Sequence, residues 1–207
     1  MSIRQAYNSW AEQYDSNANK TRDMEANVLR STLNVIRFTS VLEIGCGTGK
    51  NTVWFAEKAD RVLSVDLSEE MLAKARSKIQ SKKVTFKQAD ILHDWDFTAE
   101  QFDLVSFSLV LEHIEDLGPV MKKAASVLAP GGHLYLAELH PFKQYSGSKA
   151  RFETKEGLHV VDCFNHHVSD FIIAADAVGL HLIHLSENFD HDDRSTVPRL
   201  LCMVFEK

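Results

Sequence analysis

Glu43-Ile44-Gly45-Cys46-Gly47-Thr48-Gly49-Lys50 carries three alternating glycines beside a carboxylate. Glycines let a backbone turn sharply and approach a ligand where a Cβ would clash. Two phosphate-binding patterns fail on this run. A dinucleotide fingerprint needs its third glycine at position 50, where the chain has Lys50, and a P-loop needs glycine at 44 and Ser or Thr at 51, where it has Ile44 and Asn51. Glu43 points the same way, because a carboxylate beside the loop disfavours a pyrophosphate and favours a cationic ligand. Asp66 follows Gly47 by 19 residues, about the spacing at which an acid accepts hydrogen bonds from ribose hydroxyls. Asp90 adds a third acid. Each aspartate could instead cap the loop or helix that follows it. As a set, the residues suit a cationic, ribose-bearing ligand.

Positioning these groups requires their strands to end at one edge. Val41 to Ile44, Val62 to Asp66, Val84 to Asp90 and Phe102 to Ser108 read as strands, with helices from Thr48 to Ala59, after Ser68, and from Leu117 to Leu128. Pro130-Gly131-Gly132 breaks the last helix, and a fifth strand begins at His133. Strands alternating with helices imply right-handed crossovers and a doubly wound, mostly parallel sheet of the α/β class, whose ligands sit at the carboxyl ends of the strands. The ends of the chain depart from this rhythm. Residues 3–36 read as two amphipathic helices and residues 151–164 as a hairpin turning at Lys155-Glu156-Gly157. Ser169 to Val178 reads as a helix stopped by Gly179. Leu180 to Leu185 and Leu200 to Glu206 read as two antiparallel strands that complete seven.

Composition narrows the classes. The 207 residues suit one domain with a full core, and 23 basic against 29 acidic side chains give a net charge of −6. That balance argues against nonspecific nucleic-acid binding. Three irregularly spaced cysteines argue for a reducing, cytoplasmic setting, and no apolar run approaches membrane-spanning length.

On these residues the sequence resembles the class I S-adenosylmethionine-dependent methyltransferases, in particular the small-molecule branch that includes ubiquinone- and menaquinone-biosynthesis enzymes. Val41 to Gly49 is similar to the family's first motif. Asp66-Leu67-Ser68, Gln88-Ala89-Asp90-Ile91 and Phe102-Asp103-Leu104-Val105 are similar to the next three. Leu128 to Gly132 is similar to the loop entering its fifth strand, and Trp10 to Asp15 to its lid helix. The resemblance implies S-adenosylmethionine as cofactor and S-adenosylhomocysteine as product. It places Gly45, Cys46, Gly47 and Gly49 under the methionine part, with Glu43 interacting with its amino group directly or through water. Asp66 would take the ribose, Leu67, Asp90 and Ile91 the adenine, and Ser106 and Ser108 would pass the sulfonium. Tyr7, Trp10 and Tyr14 share one helical face, either as packing anchors or as a lid, and Tyr14 is the expected cofactor contact.

Histidine is the informative residue on the acceptor side: His113 after the fourth strand, His140 after the fifth, and His166 before the last crossover helix are the catalytic or pocket candidates. Cys163-x-x-His166-His167 lacks a second ligand pair, so no metal is expected. Lys149, Arg151 and Tyr145 could hold an acidic acceptor or form a solvated turn. The resulting expectation is a single methyltransferase domain over 1–207, with lid helices over 1–36 and a cap over 141–168. It would act on a small-molecule acceptor, without nucleic acid or membrane. The alternatives are a non-catalytic cofactor-binding subunit, a protein acceptor, or a nicotinamide oxidoreductase.

Overall fold

A computed structural model describes residues 2–149, 151–154 and 157–207. The helices α1 (Ile3–Trp10) and α2 (Lys20–Leu33) precede β1 (Ser40–Ile44), α3 (Lys50–Lys58), β2 (Arg61–Asp66), α4 (Glu69–Lys78), β3 (Val84–Gln88) and β4 (Phe102–Ser108). Then follow α5 (Leu117–Val127), β5 (Leu128–Leu139), α6 (Pro141–Tyr145), β6 (Arg151–Thr154), β7 (Gly157–Val160), α7 (Val168–Asp176), β8 (His181–Asn188) and β9 (Leu200–Glu206). Seven strands form one sheet in the order β3-β2-β1-β4-β5-β9-β8. Strand β9 is antiparallel to β5 and to β8, and the other pairs are parallel. The expected mostly parallel, seven-stranded architecture is what forms.

Alternation along β1 divides the core between the two sheet faces. Leu42 and Ile44 pack with α5 and α7 through Val120, Met121, Phe171 and Ala175. Val41 faces the other way, onto Leu29 and Leu33 of α2 and Phe55 of α3. Helix α1 forms a smaller cluster in which Ala6 and Trp10 pack near Met71 of α4.

Some boundaries differ from expectation, for local reasons. Helix α3 starts at Lys50 because Gly49, at φ 84°, is its left-handed N-cap. Strand β5 starts at Leu128, five residues early. Leu128 pairs with Phe102, and Pro130-Gly131-Gly132 is an irregularity inside the strand, with Gly131 at φ 73°. The hairpin is shorter than 151–164, and its expected turn at Lys155 and Glu156 lies outside the described residues.

Candidate active site

The carboxyl ends of β1, β2 and β4 open onto a cavity of about 410 Å3. Its floor is the glycine loop, fastened to β2 where the N–H groups of Gly45 and Cys46 donate to the Val65 carbonyl at 2.8 and 3.0 Å. Gly45 has φ +71°, and a Cβ there would lie 2.2 Å from Val110 Cγ2. At Gly47 (φ +53°) the Cβ position has nothing within 4 Å, so the backbone itself faces the cavity.

Asp66 ties the glycine loop to the start of the next helix and also lines the cavity. Its Oδ2 accepts from Gly47 N and its Oδ1 from Ser68 N, each at 2.8 Å. A carboxylate has about four acceptor sites, so two backbone bonds leave room for a diol at the wall it lines. Burial raises its carboxyl, and the N–H groups of Ser68, Gly47 and Leu67 pull it back down. Asp90 likewise accepts from Leu92 N at 3.0 Å and lines the cavity, together with Leu67, Met71 and Ile91. Acids at both edges and apolar walls between them fit a nucleoside-bearing cofactor.

Four other expected cofactor contacts lie off this wall. Glu43 is buried beneath the loop, where its Oε2 accepts from Thr52 Oγ1 at 2.5 Å and Ser64 Oγ at 2.7 Å. Burial, the largest cause, raises its carboxyl to about 7, and its side chain ties α3 to β2 behind the loop, off the cavity wall. Cys46 is buried inside the turn, and Ser106 inside the sheet. Gly49 serves packing, since a Cβ there would lie 2.6 Å from Ile79 Cδ1.

The amino-terminal segment covers the cavity and is fastened at several points. Asp15 takes Thr48 Oγ1 of the loop at 2.6 Å and Lys78 Nζ of α4 at 2.7 Å. Ser68 Oγ donates to Asn8 Oδ1 at 2.6 Å. Tyr14 lines the cavity with the Arg22 guanidinium 5.2 Å from its ring centre, and Arg22 also donates to the Tyr14 carbonyl. Ser108, another lining residue, donates to Glu25 Oε1 at 2.7 Å, and Asn51 Nδ2 holds Glu25 Oε2 at 2.8 Å. Glu25 escaped the sequence reading. Its signal was a carboxylate on the buried stripe of α2, beside Ala26, Leu29 and Leu33.

Of the three histidine candidates, the structure brings only His113 to the cavity. His113 Nδ1 lies 2.9 Å from the Asp162 carbonyl, which can only accept, so Nδ1 carries the hydrogen. In the neutral ring Nε2 is then the acceptor, and the Tyr7 hydroxyl donates to it at 2.8 Å. Burial raises the Tyr7 hydroxyl well above its ordinary value, which keeps that proton in place. His140 is fully buried away from the cavity. It caps α6 by accepting from Phe142 N at 3.2 Å, and its Nε2 lies 3.0 Å from Glu187 Oε1. His166 Nε2 bonds the Ile114 carbonyl at 2.7 Å, again as a structural group. His167 turns instead to Tyr145, so the tandem histidines serve different partners.

Two carboxylates missed by the sequence reading stand behind His113. Glu138 Oε1 accepts from Val110 N at 3.1 Å and Leu111 N at 2.9 Å, which fixes the turn that carries His113. Burial, then Glu112, raises the Glu138 carboxyl to about 8. Glu112 is itself buried, and its Oε1 lies 3.9 Å from His113 Nε2.

The sheet order, the glycine loop and the acids at successive strand ends define the class I, S-adenosylmethionine-dependent methyltransferase fold. Residues 42–136, a little under half of the chain, match the family described as "Methyltransferase domain". A malonyl-[acyl-carrier protein] O-methyltransferase from Hamiltonella defensa is 31% identical over 137 residues, covering 66% of this chain and 52% of that protein. A ubiquinone biosynthesis O-methyltransferase from Coxiella burnetii is 24% identical, over 80% of this chain and 77% of its own. Among solved structures, a DhpI–SAM–HEP complex superposes with TM-score 0.76 at 25% identity, covering 98% of this chain and 94% of the other. The chain spans about half the length of the first two curated relatives it matches. Among the described residues, no helix is long and apolar enough to cross a membrane.

Proposed function

We propose that this protein is an S-adenosylmethionine-dependent methyltransferase acting on a small-molecule acceptor, with residues 1–207 forming one domain. The observation that carries this reading is one cavity in which the Asp66–Gly47 pair and the Tyr7–His113 pair face the same space. Gly45 and Gly47 would underlie the methionine part of the cofactor, Asp66 would take its ribose, and Asp90 and Ile91 its adenine. The bound cofactor supplies a methyl carbon on a cationic sulfur, with a neutral thioether as leaving group.

Because that leaving group needs no acid, the chain's work is alignment, exclusion of water and handling of one acceptor proton. Alignment alone supplies several kcal/mol, up to roughly 7–11 in well-oriented systems. Tyr7 and Tyr14 cover the cavity, and aromatic faces near a positive sulfur add attraction. His113 Nε2 is the basic atom positioned to take a proton from a hydroxyl or amine once that group displaces Tyr7. Residues 1–36 act as the lid and 141–168 as the acceptor-side cap.

Calorimetry with S-adenosylhomocysteine and with NADH tests the assignment. Binding of the first and not the second is expected, and failure to bind S-adenosylhomocysteine overturns it. Transfer of label from methyl-labelled S-adenosylmethionine to a metabolite extract then separates an enzyme from a non-catalytic subunit.

A further inference from the structure

Next to the first cavity, and sharing Tyr7, Tyr14 and Leu109 with it, lies a second of about 320 Å3. That volume suits a small ligand. Its character is different from the first. Lys20, Lys149 and Arg199 line it, and so do Asn19 and Thr21 at the start of α2. Asn19 caps that helix through Arg22 N at 3.0 Å, while the N–H groups of Lys20 and Thr21 stand at the first two helical positions, where a helix offers no partner of its own. These are anion-binding elements: a helix amino terminus with two ammonium groups beside it.

The countercharges are few. Arg199 is engaged by Asp190 through Nε at 2.5 Å and Nη2 at 2.6 Å, with Thr21 Oγ1 at 3.1 Å from Nη1, so its charge is largely offset. The side chains of Lys20 and Lys149 make no hydrogen bond or close ion pair with another described residue, although the Lys20 charge helps to lower the Asp190 carboxyl. Glu112 also lines the cavity, where its buried carboxylate takes hydrogen bonds from Cys163 and Gln144. The cavity therefore offers ammonium groups to an anion at Lys20 and Lys149, and through the shared Tyr7 it adjoins His113 Nε2 of the first cavity, an acceptor for a ligand's hydrogen-bond donor.

We infer that this second cavity is the acceptor subsite, and that the acceptor is a small molecule carrying a carboxylate or phosphate group together with the hydroxyl or amine that is methylated. The inference rests on the methyltransferase reading above and names the acceptor class for the same site. In the transfer, the acceptor's oxygen or nitrogen lone pair forms the bond to the methyl carbon. The sulfur keeps the electron pair of the broken S–C bond, and the acceptor's proton passes to His113 Nε2. The anionic group is a handle held away from the reacting atoms.

The test uses inorganic phosphate as the anion probe on the full chain saturated with S-adenosylhomocysteine, followed by NMR titration at constant ionic strength. Saturable shifts are expected at Tyr7, Lys20, Thr21 and Lys149. The double variant Lys20→Ser/Lys149→Ser is expected to weaken phosphate about tenfold, since charge-assisted bonds are the strong ones, while S-adenosylhomocysteine affinity and the control Lys122→Ser stay at wild-type values. Absence of saturable shifts, shifts confined to other residues, or phosphate affinity unmoved by the double variant overturns the subsite. Failure of S-adenosylhomocysteine to bind is a separate result that overturns the cofactor reading instead.

Discussion

The two walls of the site are built by different means. On the cofactor side, the chemistry is carried by backbone and by short reach: Gly45 and Cys46 hang from Val65, and Asp66 ties Gly47 to Ser68. On the acceptor side, side chains meet from distant parts of the chain. Tyr7 reaches His113, His113 reaches Asp162, and Glu138 holds the turn at Val110 and Leu111. A wall of parallel strand ends is fixed once the sheet forms. A wall of docked side chains stands only while α1 and the segment around 162 stay in place. Cofactor binding and turnover are therefore expected to respond to different substitutions.

The largest separation is expected at His113. His113→Ala should lower turnover roughly a hundredfold, the scale of a lost proton acceptor, and leave S-adenosylhomocysteine affinity within error by calorimetry. Unchanged turnover would remove His113 from the reaction.

Next comes the support behind it. The Glu138 carboxyl is raised from 4.5 to about 8, so folded protein holds a proton that unfolded chain releases above pH 4.5. Stability from this group is present in full below that value and is lost as pH rises toward 8. Glu43, raised to about 7, contributes with the same sign. Glu138→Gln keeps an acceptor oxygen for Val110 and Leu111 but cannot ionise. Urea denaturation at pH 5 and pH 8 should then show a stability loss smaller than wild type by roughly 1–3 kcal/mol, with the Glu43 part remaining. Identical pH slopes for the two proteins would show that Glu138 is not the titrating group.

On the opposite wall, Asp66→Ala is expected to weaken cofactor binding by about tenfold, from lost hydrogen bonds to ribose. Acceptor-side packing, followed by the ring signals of Tyr7 and His113, should be unchanged. A wild-type affinity would reduce Asp66 to a brace for Gly47.

The same contrast explains what could be read in advance. The loop, Asp66 and Asp90 are legible because local spacing and strand order place them together with no long-range information. The sheet followed from alternation, including the reversed strand at 200–206. Less legible were assignments that needed side-chain direction. Glu43 sits in a strand buried on both faces, so its alternation turns it under the loop. His140 follows a strand end as expected, but Pro141 opens a helix there, and the imidazole is spent on capping. Glu25, Glu112 and Glu138 were invisible because a buried acid reads as an ordinary polar residue until its partners, as many as 110 positions away, are known.

Tyr7 belongs to both walls and gives the smallest and most discriminating effect. Its ring packs on Trp10, with centroids 5.8 Å apart, and meets His113 edge-on at 5.5 Å. Phenylalanine keeps those contacts and deletes only the hydroxyl on Nε2. One net hydrogen bond is worth about 1 kcal/mol. Tyr7→Phe is therefore expected to weaken cofactor binding by no more than about fivefold, through looser docking of α1, and to speed amide exchange over residues 3–10 by a similar factor. Turnover carries the information. If Tyr7 merely occupies Nε2 until an acceptor arrives, freeing that nitrogen lowers the acceptor KM and spares kcat. A fall in kcat with KM unchanged would instead make the hydroxyl a participant in the proton transfer, and would extend the acceptor wall onto the lid.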